Sequence, residues 1–217
     1  MYTIQALFDL NHTLAAEYLE QFQYPWEALQ GIKALILQLG PNLGDDYTLS
    51  SENVWVHKTA KVSPTAFLGA PCIIGPGTEV RHGAFIRGSA LVGENCVVGN
   101  SVELKNVILF DNVQVPHYNY VGDSILGYRA HMGAGSVTSN VKADRSLVVI
   151  HGDTDIPTGI KKVGAMLGDR AEIGCNAVLN PGTIIGRDSN VYPLSSVRGT
   201  VPANSIYKAN DRIVQKQ

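Results

Sequence analysis

An all-β chain wound as a hexapeptide-repeat parallel β-helix, with a small N-terminal helical segment, is the fold this sequence predicts. Three observations carry the prediction. Every sixth residue from Val56 is apolar and branched: Val56, Val62, Leu68, Ile74, Val80, Ile86, Val92, Val98 and Leu104. The residue four places after each of the first eight is small: Ala60, Ala66, Cys72, Thr78, Ala84, Ala90, Cys96 and Val102. Glycine often follows the apolar position, as at Gly69, Gly75, Gly93 and Gly99. Helices repeat every 3.6 residues and simple strands every two, so neither yields a period of six. Six residues suit one short strand plus one turn. Three such units close a triangular coil, and stacked coils bury a continuous apolar column.

Residues 1–50 read differently. TLAAEYLEQF and PWEALQGIKALILQLG have helical spacing, Pro25 suits a first helical turn, and Gly40 suits a C-terminal cap. They are expected to form a helical cap or arm, since the ends of solenoids need covers. The coil is expected over 51–208. Its beat restarts after each of two five-residue steps: Leu109, Val115 and Val121 hold one phase, Leu126 and Met132 the next. It resumes at Leu167, Ile173, Leu179, Ile185, Val191 and Val197. The stretch from about 139 to 166 lacks the beat and is expected to be a long loop outside the coil; a disordered insertion is the alternative. VPANSIYKANDRIVQKQ ends the chain as a strand and a tail, the tail being 209–217.

Composition narrows the function. Charged residues are 17%, with 17 Lys+Arg against 19 Asp+Glu, so no basic field favours nucleic acid. No apolar run is long enough to span a membrane, and the N-terminus lacks the pattern of a secretory signal. Three cysteines at irregular spacing form neither a disulfide framework nor a zinc site. A cytoplasmic location is expected. Cys72 and Cys96 fall on the small-residue beat and should pack corners. Cys175 is off it and should lie nearer the surface.

Large polar residues off the beat are the candidate site. Arg87 and Lys105 are 18 residues apart, three hexads, which puts two cations on one face one coil apart. Such a pair suits a phosphate, and Arg can bind it bidentately. His82, His57 and His151 read as structural. His117 in VPHYNYVGD is bracketed by the two shortened steps, which offers a reason for the broken beat: it would position an imidazole as general base.

At these residues the sequence resembles a known family. GNSVELKN, VPHYNYVGDSILG and MGAGSVTSN resemble the acetyltransferase half of the bacterial bifunctional enzyme that makes UDP-N-acetylglucosamine. IKKVGAMLGDRAEIGCNAVLNPGTIIG is closer to archaeal-type sugar-1-phosphate acyltransferase domains. The resemblance covers roughly 52–208. It implies a left-handed coil, acetyl-CoA as co-substrate, an amino-sugar-1-phosphate such as glucosamine-1-phosphate as acceptor, and a homotrimer. It implies His117 as general base and Ala134 as donor of a backbone N–H to the thioester carbonyl. Arg87, Lys105 and Tyr120 would hold the sugar phosphate, and Asn140 the sugar. Cys175, Pro193 and Lys208 would line the CoA channel. His131, which stands where the bacterial enzyme has Asn, falls with the substrate-binding residues. Ser146 stands at or near a Lys position. No GxGTRMxPxTxxxPK-like loop occurs, so no pyrophosphorylase activity is expected of this chain. Two rivals follow. A non-catalytic sugar-phosphate or nucleotide-sugar binder could partner a separate nucleotidyltransferase through the helical arm. A metal-dependent carbonic-anhydrase-like enzyme could use His82 and His117, but residue 122, where a third His would be expected, is Gly.

Overall fold

The computed structural model of the chain describes residues 2–208 and 212–217. It winds as a left-handed parallel β-helix in which strands of two to seven residues stack coil on coil. The beat residues Ile74, Val80, Ile86, Val92, Val98 and Leu104 point inward and are all but fully buried. Cys72 and Cys96 pack corners as expected, and burial pushes both thiols up to about 12.

The two five-residue steps shorten the coil by one residue. Trp55 pairs with Ile73, 18 residues on, but Leu91 pairs with Ile108 and Ile108 with Ile125, 17 residues on. The missing residue comes out of one corner. There the strands Glu103–Leu109 and Tyr120–Leu126 run straight through without a separate turn. Asn106 (φ 54°) and Asp123 (φ 49°) make the bend, two residue types that tolerate the left-handed region. His117 stands at a different corner, one with an ordinary turn. The expectation that the broken beat aims His117 is therefore corrected: it shapes the Asn106–Asp123 corner instead.

The N-terminal segment does not close an end of the coil. Ile32–Leu39 packs on the strands Ala90–Val92 and Glu103–Leu109, and Pro25–Gly31 on Tyr120–Leu126, all along one face. That face is a ladder of outward-pointing Ile73, Leu91, Ile108, Ile125, Met166 and Ile184, each at most 1% exposed under the segment. Each such side chain contributes about 1.5–3 kcal/mol on burial, so the arm's place follows from the apolar area it removes from water. Polar latches fix it: Asp9 N donates to Asp169 Oδ2 at 2.7 Å, and Tyr2 Oη meets Thr200 Oγ1 at 3.0 Å. Gly40 ends its helix without a left-handed φ; a Cβ there would come within 2.4 Å of the Trp55 indole, so the residue is required by close packing.

At each end of the coil one edge strand is covered by an antiparallel strand, which satisfies backbone groups that would otherwise be open to pairing. Tyr47–Ser51 pairs with Val54–His57 at one edge. Arg212–Gln215 pairs with Ser205–Lys208 at the other, where the sequence suggests only a tail. Residues 209–211 of that tail lie outside the described residues. The break in the beat holds an antiparallel hairpin, Val149–Ile150 with Ile156–Pro157, before the coil resumes at Ala165–Leu167. Val148, Ile150 and Val163 are fully buried, so this loop is seated on the coil.

Candidate active site

Two corners and the face between them hold the candidate residues. The first corner is regular. Successive coils place His82, Asn100, His117, Ala134, Cys175 and Pro193 along it, one above the next. Backbone bonds trace the column: Ser101 N to His82 O, Tyr118 N to Asn100 O, Gly135 N to His117 O, Asn176 N to Ala134 O, and Leu194 N to Cys175 O, all 2.8–3.2 Å. His117 is exposed, and its imidazole makes no hydrogen bond or ion pair among the described residues. Its backbone is held: His117 N donates to Asn119 Oδ1 at 3.1 Å, while the buried Asn119 Nδ2 donates to Gly133 O at 2.8 Å. A fixed backbone under a free ring suits proton transfer. One coil on, the half-buried Ala134 N–H makes no hydrogen bond among the described residues and is free to donate.

Beside this corner runs a groove of about 470 Å³ lined by His131, Gly133, Ile173, Cys175, Tyr192 and Pro193, among others. Lys208 places its ammonium 5.7 Å from the centroid of the Tyr192 ring, at the groove's margin. Cys175, Pro193 and Lys208 are thus brought together with Ala134 nearby. His131 belongs to this groove as well, its Nδ1 at 2.8 Å from Glu172 Oε2. The sequence groups it with Arg87, Lys105 and Asn140; the fold sets it on the face beyond His117.

The second corner is the shortened one, and it collects the remaining candidates around Asp123. Lys105 Nζ reaches both Asp123 oxygens at 3.1 and 3.0 Å. Asn106 Nδ2 donates to Oδ1 at 2.9 Å, and Asn140 Nδ2 to Oδ2 at 2.5 Å. Asn140 Nδ2 also lies 3.2 Å from Tyr120 Oη. With that oxygen accepting, the phenolic proton remains available to a ligand. Burial, then the charges of Asp123 and Glu103, hold the Tyr120 pKa above its usual value, so the phenol stays a donor at neutral pH. Gly122 makes this possible. A Cβ there would stand 2.4 Å from Tyr120 Oη, so only glycine lets the ring lie across the corner to Asn140.

Arg87 stacks on this corner one coil earlier, Arg87 N donating to Leu104 O at 2.8 Å. Its Nη1 is 2.7 Å from Glu103 Oε1, and that hydrogen bond raises its pKa further. Both expected phosphate cations thus already have carboxylate partners. Glu103 and Asp123 escape a reading of the sequence by cations alone. A signal for Asp123 was present: each five-residue step contains an Asn or Asp, the residues a left-handed bend favours. Among the described residues, no group of three His, Cys, Asp or Glu is arranged to hold a metal ion, and no helix is long and apolar enough to cross a membrane.

Comparison with known proteins agrees with this architecture. Residues 71–154 match the family model described as the GMPPB C-terminal domain. The chain is 33% identical over 185 residues to the bifunctional protein GlmU of Nostoc sp., covering 83% of this chain and 36% of that protein. It is 28% identical over 189 residues to a bifunctional sugar-1-phosphate nucleotidylyltransferase/acetyltransferase of Sulfurisphaera tokodaii, covering 85% of this chain and 47% of that protein. The chain therefore spans less than half the length of these curated relatives. A perosamine N-acetyltransferase of Caulobacter crescentus, solved with CoA and GDP-perosamine, is similar over 73% of this chain and 55% of its own, at 21% identity and a TM-score of 0.39. The resemblance carried by the motifs is matched along most of the coil: the chain is a relative of the hexapeptide-repeat sugar acyltransferases.

Proposed function

We propose that this chain transfers the acetyl group of acetyl-CoA to the amine of a phosphorylated amino sugar. The observation that supports this best is the first corner. It sets a free imidazole at His117, a free N–H at Ala134 and the apolar groove by Cys175 and Pro193 on consecutive coils. In this reading the pantetheine lies in the groove, with its thioester at Ala134. His117 takes a proton from the sugar amine as the nitrogen attacks the thioester carbonyl. The new C–N bond forms, the Ala134 N–H holds the oxyanion, and the tetrahedral adduct collapses by breaking the C–S bond. CoA leaves as the thiolate and takes up the proton held by His117, which restores the base. One well-placed oxyanion donor contributes about 2.7–4 kcal/mol to such a step. The sugar lies across the face toward Tyr120 and Asn140. Glucosamine-1-phosphate is the acceptor the motifs suggest, and a homotrimer the assembly.

Thiol release from acetyl-CoA, measured with amino-sugar-1-phosphates and nucleotide-linked amino sugars beside the His117→Ala protein, tests this. Turnover that depends on His117 supports it. Turnover that survives the substitution unchanged removes His117 as base. No turnover with any acceptor from a folded protein overturns the transferase reading and leaves a binding subunit.

A further inference from the structure

The long loop and the coil border a second, open cavity, of about 580 Å³, that the reaction above leaves unused. Its walls include Ser139, Lys142, Asp144, His151, Asn180 and Arg198. The loop is held firmly over it. Val148 and Ile150 are fully buried against Gly182, where a Cβ would stand 2.8 Å from Val148 Cγ1. The volume lies within the range of about 300–1,000 Å³ that small-molecule sites occupy.

The cations of this cavity differ from those of the Asp123 corner in their partners. Arg87 and Lys105 are each bonded directly to a carboxylate, at 2.7 and 3.0 Å. Lys142 is bonded to a hydroxyl, Ser146 Oγ at 2.6 Å, and forms a longer ion pair with Asp144 at 3.8 Å. Arg198 Nη2 is 3.3 Å from His151 Nε2, and no carboxylate among the described residues forms an ion pair with it. The His151 Nδ1 faces Asp155 Oδ1 at 2.9 Å, which turns Nε2 toward Arg198 as an acceptor. Arg198 thus keeps its charge to offer to an anion and Lys142 holds only a long ion pair, while the Asp123 corner is internally neutralised. Position completes the argument. Ser139 and Val141 line the cavity, and Asn140 between them reaches to Tyr120 and Asp123. A ligand could place its sugar at Asn140 and an anionic tail in the cavity without leaving the surface.

We infer that this cavity seats the diphosphate of a nucleoside-diphosphate-linked amino sugar, with Arg198 and Lys142 as its cations. The assignment deepens the transferase reading and rests on it for the identity of the sugar end. Arg198 suits two phosphate oxygens through its planar fork, and Lys142 adds a point charge.

The test is calorimetric titration of UDP and of GDP into the full chain, beside titration of CoA. Either nucleotide should bind the native protein and weaken with added salt. Lys142→Gln with Arg198→Gln should lower that affinity about a hundredfold, roughly tenfold per lost charge-assisted contact. CoA affinity should stay unchanged in the same variant. Asp144→Asn, which removes the cavity's carboxylate, should hold or raise nucleotide affinity and guards against a mere folding defect in the double variant. Binding of neither nucleotide overturns the inference. So does equal nucleotide binding by the double variant, or a loss of CoA affinity in place of nucleotide affinity. Acetyl transfer to glucosamine-1-phosphate without nucleotide binding removes this inference alone. Nucleotide binding without transfer to any acceptor keeps the cavity and removes the transferase.

Discussion

The two corners of one coil solve opposite problems with the same chain. At the regular corner the turn has its full complement of residues. Backbone bonds link each coil to the next along it, and side chains such as His117 stand free in solvent. At the shortened corner a residue is missing, and side chains do what a turn would have done: the amide of Asn106 and the carboxylate of Asp123 tie adjacent coils together. Asp123 is buried at 4% exposure and has three side-chain partners. A corner with spare backbone geometry can lend its side chains to chemistry. A corner without it spends them on structure and so becomes rigid, which suits holding a ligand in one place.

Substitutions at the two corners should therefore fail differently. The largest effect belongs to His117→Ala. Loss of a placed base should slow acetyl transfer by about 10²–10⁴-fold, while the melting midpoint stays near that of the native protein. Rate measurements beside a thermal scan check it, and an equal loss of stability would erase the distinction between the corners. Asp123→Asn should show the reverse balance. It leaves the Lys105 ammonium, 26% exposed, without its counter-charge, at a cost of about 1–3 kcal/mol by denaturant unfolding. Adding Lys105→Met should recover part of that loss, and a strictly additive double variant would mean the two side chains do not act together. Gly122→Val should leave the fold in place but lift Tyr120 off Asn140. Its mark is a KM for the acceptor raised about tenfold, with little change in the KM for acetyl-CoA. The smallest effect is chemical. At about pH 8, only Cys175 of the three thiols should react with an aromatic disulfide, because burial keeps Cys72 and Cys96 protonated and covered. Saturating CoA should slow that reaction, and an unchanged rate would move the CoA path away from Cys175.

Much of the coil was legible because its rule is local. An inward residue every six places needs no knowledge of distant partners, so Ile74, Val92 and Leu104 could be assigned from spacing alone. The corner ladder was half legible: His117, Ala134, Cys175 and Pro193 came from motif resemblance, and coil stacking explains why residues so far apart in sequence share an edge. His131 came from the resemblance alone; its face is set by pairing with Gln114 and Glu172, which no motif shows. Asp123 and Glu103 were passed over because a search for cations says nothing about what neutralises them. The lie of the N-terminal arm could not be read, since its apolar stripe fits an end or a side equally well. Only the outward ladder of Leu91, Ile108 and Ile125 decides between them.

That arm has a consequence for how the molecule is made. Tyr2 is bonded to Thr200 and Asp9 to Asp169, contacts 198 and 160 residues apart. The arm is thus made well before the strands that complete its berth. Until the final coils form, the arm has only part of its berth, and the ladder it covers stays open to water and to other chains. Contacts of such long sequence separation close slowly. A growing chain of this kind is most exposed to mispairing just before the coils bearing Asp169 and Thr200 form, and the arm's docking marks the moment that exposure ends.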